Sequence, residues 1–236
     1  MLPLWFALCL GPIGIEPARP TDPPKAEGLV ELAPSLTMDR TRKEVIVQSQ
    51  VVLREGALEL LLCPVRTKEH ESILAADIPP RSFQLALLGI GAKPGSPAVF
   101  EPEFHPPTGQ KLVVDVEYDW DGKHHRHPAR DWIRADQGEG KDPKAMKADF
   151  VFAGSRFVRI PGEARARWLG DEGDLICVAN FPGAVVDINI ASDNANASLL
   201  FNAWTDRIPP RGTPVKVIMT LVEDPPAPAT NAPATK

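Results

Sequence analysis

Lys111-Leu112-Val113-Val114-Asp115-Val116-Glu117-Tyr118-Asp119-Trp120 is the stretch on which the fold turns. Leu112, Val114, Val116, Tyr118 and Trp120 alternate without a miss against Asp115, Glu117 and Asp119. A period of two puts one face on a core and the other in water, so the stretch predicts a strand. Asp121-Gly122 follows, a pair suited to the positive φ angles of a type I′ hairpin turn. The return strand then carries His124, His125 and His127 up to Pro128. Alternation sends His125 and His127 to one face and His124 to the other.

Working outward toward the N-terminus, Ala92 to Gln110 holds five prolines and no apolar period. A loop of this length in a compact domain tends to have a function. Before it, Pro80 and Ser82 open a helix to about Ile90, with Phe83, Leu87 and Ile90 at helical spacing and Gly91 beyond its end. A second short helix is predicted from a Thr67 cap to about Ala76, broken by Ile78-Pro79-Pro80. Glu44 to Leu53 and Ala57 to Leu62 read as strands joined in a hairpin across Arg54-Glu55-Gly56, and Pro64 ends the second.

Toward the C-terminus, strands are expected at Asp149 to Ala153, Arg156 to Ile160 and Arg165 to Leu169. Leu175 to Ala179 is apolar on both faces and reads as a buried central strand. In Ala184 to Ile190 the pattern turns Val186, Ile188 and Ile190 inward and Asp187 and Asn189 outward, and Val215 to Val222 closes the sheet. The expected class is α+β: mostly antiparallel sheet, a sandwich or an open barrel, with two short adjacent helices on one side.

Residues 1–15 form an apolar run of the length of an export-signal core, too short to cross a bilayer as a helix. Residues 16–34 form a proline-rich linker, 35–222 one domain, and 223–236 a Pro/Ala/Thr tail that cannot pack. Export places the protein in the bacterial periplasm or cell envelope, with no transmembrane span in the mature chain. The net charge of -5 supplies no basic field, which argues against nucleic acid or an anionic membrane surface as partner.

Reactive side chains crowd between Cys63 and Ser72, where Cys63, His70 and Glu71 stand close in the chain. A thiol within reach of an imidazole can become a thiolate nucleophile. Against that, no oxyanion feature or third group is visible. The same Cys63 and His70, joined by His125 and His127, offer sulfur and nitrogen ligands for zinc. Cys63 and Cys177 are an even pair that an oxidising compartment could bridge, and a bridged sulfur cannot attack. Trp120, Trp132, Trp168 and Trp204 read as core or edge packing, with a stacking platform for sugar or peptide as the alternative. The local signatures of common hydrolases, nucleotide binders and zinc proteases are missing.

Cys63-Pro64-Val65 with His70-Glu71-Ser72-Ile73-Leu74, then Leu87-Leu88-Gly89-Ile90-Gly91-Ala92-Lys93-Pro94-Gly95, Asp131-Trp132 and Phe152-Ala153-Gly154-Ser155-Arg156-Phe157 resemble the YdjY-like exported bacterial proteins over about Ser35 to Val222. The resemblance implies a single-domain envelope protein with no assigned reaction. Some relatives carry a ferredoxin-like label, but an iron–sulfur cluster normally takes four cysteines and the domain holds Cys63 and Cys177 alone. The expected function is therefore a non-catalytic envelope domain that binds a partner protein or small ligand through the Ala92–Gln110 loop and the segment carrying His70 and Glu71. The competing expectation is a thiol- or metal-dependent enzyme, redox in kind, centred on Cys63, His70 and Glu71.

Overall fold

The computed structural model describes residues 28–135, 142–191 and 200–223, so the apolar run, the proline-rich residues up to 27 and the tail from 224 lie outside the described residues. Its strands are β1 (Leu29–Ala33), β2 (Leu36–Asp39), β3 (Glu44–Val51), β4 (Leu60–Pro64), β5 (Ser72–Ala76), β6 (Lys111–Trp120), β7 (Lys123–Pro128), β8 (Ile133–Ala135), β9 (Lys144–Ala145), β10 (Phe150–Phe152), β11 (Phe157–Val158), β12 (Arg167–Trp168), β13 (Ile176–Cys177), β14 (Val186–Ile188), β15 (Phe201–Ala203) and β16 (Pro214–Leu221). Helix α1 spans Pro80–Gly89, and two 3-10 turns lie at Ala129–Trp132 and Leu169–Glu172.

Eight strands close into a barrel in the order β3, β16, β6, β10, β14, β13, β4, β5, with β5 returning to β3 through Gln50↔Ala75 and Val51↔Leu74. Ring neighbours are antiparallel except β4–β5 and β13–β14. Strands β1 and β2 extend the sheet from β3, and β7 hangs from β6. The barrel is thus closed rather than open. It is filled by the inward rows of β3 (Val45, Val47, Val51), β6 (Leu112, Val114, Val116) and β16 (Val215, Val217, Met219), all buried. Each such side chain contributes about 1.5–3 kcal/mol relative to leaving it in water.

The 111–120 strand and its hairpin are as the alternation requires. Asp121 and Gly122 both take positive φ, 50° and 67°, and Tyr118 faces His125 across the pair. Helix α1 also starts where expected, with Pro80 in its first turn, and it buries Phe83, Ala86 and Leu87. Its Gly89 lies against Met38 of β2, where an added Cβ would stand 2.5 Å from Sδ.

The predicted helix from Thr67 to Ala76 is instead a turn followed by β5. Arg66 adopts φ 62°, its N–H donates to Glu69 Oε1 at 2.5 Å, and the Thr67 hydroxyl donates to Pro64 O at 2.6 Å. The physical reason is burial on both faces: all five residues Ser72 to Ala76 are buried, and a strand between β3 and β4 covers both sides where a helix would cover one. For the same reason β3 and β4 are not hairpin partners, because β5 stands between them in the ring. The crossing segment carries Arg54, whose guanidinium donates to Ile208 O and Thr205 O, both at 2.9 Å.

Asp187 departs from its expected outward position. It is fully buried, its Oδ1 accepting from Ile188 N (2.8 Å) and Asn180 Nδ2 (3.2 Å) and its Oδ2 from Phe181 N (3.3 Å). The outside of β14 at this point is covered by residues 180–184, so the face that alternation assigns to water is roofed by the chain's own turn.

Candidate functional site

Cys63 lies on β4 with no exposed surface, whereas the His70 side chain, in the turn before β5, is 77% exposed. The imidazole stands 3.5 Å from Glu71 through Nε2, and the polar neighbours acting on the Cys63 sulfur are Ser72, Thr67 and the Lys68 backbone. Burial pushes the Cys63 thiol up and the Cys177 thiol well up, so both are protonated at neutral pH. That is the opposite of the activation a nucleophilic cysteine needs.

The two thiols are free and share an apolar cluster with Leu60, Ala75 and Ala184. Cys177 pairs with Leu60, three positions from Cys63 on β4. At the rise of a strand that offset is about 10 Å, beyond the Cα separation a disulfide spans without backbone movement.

Above this cluster sits a set of ionisable groups of which the sequence reading singles out Glu71 alone. Lys68 Nζ meets the buried Asp174 Oδ1 at 2.5 Å and lies 4.9 Å from the Phe181 ring centroid. Burial works against the Lys68 ammonium, but the Asp174 carboxylate more than offsets it and raises the Lys68 pKa. Glu59 is pushed up by burial and then by the Glu71 carboxylate, to which it hydrogen-bonds. Burial, with a smaller contribution from Asp174, pushes Asp187 up to about 8. Neither the helix predicted from Thr67 nor the segment around Asp174 gave a hint of this burial, since Asp174 is enclosed by segments distant in the chain, Lys68 among them.

The histidine hairpin builds a different site. Val116 and Tyr118 face His127 and His125 across the β6–β7 pair. The His125 ring stacks on Tyr118 at 4.9 Å and 12°, His127 meets Tyr118 edge-on at 5.7 Å, and buried Trp132 backs Tyr118 and His127. Burial pushes the Tyr118 hydroxyl up, with the Trp132 indole N–H acting in the other direction. His124 points to the opposite face and pairs with Asp119 at 2.9 Å, as the alternation requires. Among the described residues, no group of three or more His, Cys, Asp or Glu side chains is placed to hold a metal ion.

Beyond the barrel rim the inward row of β6 continues to Trp120, which is 46% exposed. It borders a basin of about 320 Å³ lined by Arg54, Tyr118, Trp120, His125, Asp206 and Arg207 among others. A second hollow of about 320 Å³, lined by His127, Asp131 and Arg207, adjoins it. Arg207 stands between the two. A turn closed by Arg207 N to Trp204 O at 2.9 Å lays the guanidinium 3.4 Å over the Trp204 ring, and Nη1 donates to Asp131 O at 3.2 Å. The whole 204–210 segment is clamped from below by Arg54 and by the Thr205 hydroxyl donating to Arg54 O at 2.8 Å.

On another side, α1 and the β11–β12 hairpin enclose a groove of about 240 Å³ lined by Arg81, Leu85, Leu88, Phe157 and Trp168. Leu85 and Phe157 are 61% and 68% exposed. The Ala92–Gln110 loop lines neither basin nor groove. It is stapled to β10 through Gly95 N to Phe152 O and Phe152 N to Gln110 O, both at 2.9 Å.

Compared with known families, residues 36–220 match the model described as the YdjY domain. No curated protein and no solved structure matches the chain.

Proposed function

Because the chain belongs to the YdjY family, which fixes the domain but no reaction, we propose that it is an exported envelope domain that binds rather than catalyses, holding a small ligand in the Trp120–Arg207 basin. The observation that carries this reading is an indole left 46% exposed at a concave rim beside a guanidinium held flat on a second indole. Concave, aromatic-walled depressions with a few fixed polar groups are the usual form of a small-ligand site. Export to the envelope rests on the apolar run of residues 1–15.

The thiol-enzyme alternative is less well supported, because burial separates Cys63 from His70 and holds both sulfurs protonated. In this reading Cys63 and Cys177 serve as core residues, and neither a bridge between them nor zinc on His125 and His127 has a role. A second binding reading rests on the α1 groove, where exposed Leu85, Leu88 and Phe157 would seat an apolar side chain of a partner protein in the envelope.

The test is a small-molecule screen on the purified full chain by tryptophan fluorescence and thermal shift, followed by Trp120→Ala and Arg207→Gln. A ligand whose affinity falls at least about tenfold in Trp120→Ala, with unchanged melting, supports the basin. Substrate turnover that disappears on Cys63→Ala in a folded variant overturns it.

A further inference from the structure

The basin's polar groups are not a neutral set, and their arrangement narrows the chemistry of what fits. Arg207 is fixed twice, by the Trp204 ring beneath its plane and by Asp131 O at Nη1. Among the described residues no hydrogen bond occupies its Nε or Nη2. That leaves one edge of a preoriented fork, the geometry that receives a carboxylate through two parallel hydrogen bonds. Arg54 does not compete for this role, since both its Nε and its Nη2 are spent on Ile208 O and Thr205 O.

Two further features constrain the rest of the ligand. Trp120 and the His125 ring stacked on Tyr118 offer flat apolar faces at the rim. Asp206, beside Arg207 in the lining, is an exposed acceptor without an ion pair among the described residues. A carboxylate acceptor next to aromatic faces suits hydroxyl donors on a ring with one apolar side. It disfavours a second anionic group, which would meet Asp206 in repulsion.

Resting on the basin reading above, we propose that the ligand class is a carboxylate-bearing saccharide, a uronate ring stacked on Trp120 with its carboxylate on the free edge of Arg207. The two adjoining hollows on either side of Arg207 provide room for more than one sugar unit.

The experiment measures calorimetric affinities of the full chain for glucuronate-, galacturonate- and mannuronate-containing trisaccharides, each beside its methyl ester, in which the carboxylate is masked. The expected result is that at least one acid binds about tenfold or more tighter than its ester. Arg207→Gln should remove that preference while leaving ester binding in place, and Trp120→Ala should weaken acid and ester alike. Acid and ester binding equally, or no binding by any of the three acids, overturns the ligand class. Failure of the basin reading looks different: saccharides bind, and neither Trp120→Ala nor Arg207→Gln changes any curve.

Discussion

Replacing Asp187 by Asn tests whether the buried carboxyl governs the pH dependence of stability. The carboxyl is raised from an ordinary 3.8 to about 8 in the folded protein, first by burial and also by the nearby Asp174. Between those values the folded chain holds a proton that the unfolded chain has released. Stability from this group is therefore fully present below about pH 4 and is lost as pH rises through about 8. The slope is about 1.4 kcal/mol per pH unit, so about 4 kcal/mol should disappear between pH 5 and pH 8. Asp187→Asn cannot titrate and should lack this component. It keeps an oxygen for Ile188 N and Asn180 Nδ2 but loses the acceptor for Phe181 N, a loss that does not depend on pH. The assay is urea unfolding of both proteins at half-unit steps from pH 5 to pH 8. The wild-type minus variant difference should fall steadily across the range. A difference that stays constant within about 0.5 kcal/mol, the ordinary scatter of surface effects, refutes the reasoning.

Removing the Lys68 ammonium as Lys68→Met leaves the Asp174 carboxylate buried without its partner at 2.5 Å, and unfolding free energy should drop by about 3 to 5 kcal/mol at pH 7. A loss under about 1 kcal/mol would mean that solvent already satisfies Asp174. The Cys63 and Cys177 thiols, buried and raised, should both resist a disulfide reagent in the native protein and react together on unfolding. Rapid modification of either in native buffer would revive a chemical role for it.

How far the fold was legible depended on whether the cause was local. The row Leu112 to Trp120 and the Asp121-Gly122 turn declare themselves because one face of β6 is wet and the turn needs only its own two residues. Helix α1 is equally local, with Pro80 to start it and Gly91 at φ 89° to leave it. Strand β5 was not legible: Ile73-Leu74-Ala75-Ala76 is apolar throughout, which has no period, and the accidental four-residue spacing of His70 and Leu74 imitates a helix. Asp187 was misread because alternation assumes water outside the sheet, and residues 180–184 replace that water.

The candidate site divides the same way. Trp120 and the facing of His125 and His127 follow from the pleat, so a stacking surface could be suspected from the chain alone. Arg207 could not, because its orientation is made by a turn onto Trp204 and a contact with Asp131, far off in sequence. The crowding of Cys63, His70 and Glu71 along the chain is not carried into one environment, for the converse reason. Neighbours along a chain that turns and enters a strand point to opposite environments, one thiol inward and one imidazole to solvent.

Strand β16 sits in the ring between β3 and β6, although in sequence it follows every other strand of the described residues. Until residues 214–221 arrive, the ring has a slot about 10 Å wide, two strand spacings, with open hydrogen-bonding edges on β3 and β6. Synthesis delivers the keystone after every other stone. A chain on which residues 214–221 have not yet emerged therefore lacks a closed ring, and its barrel can form only once that segment is free to pair on both sides.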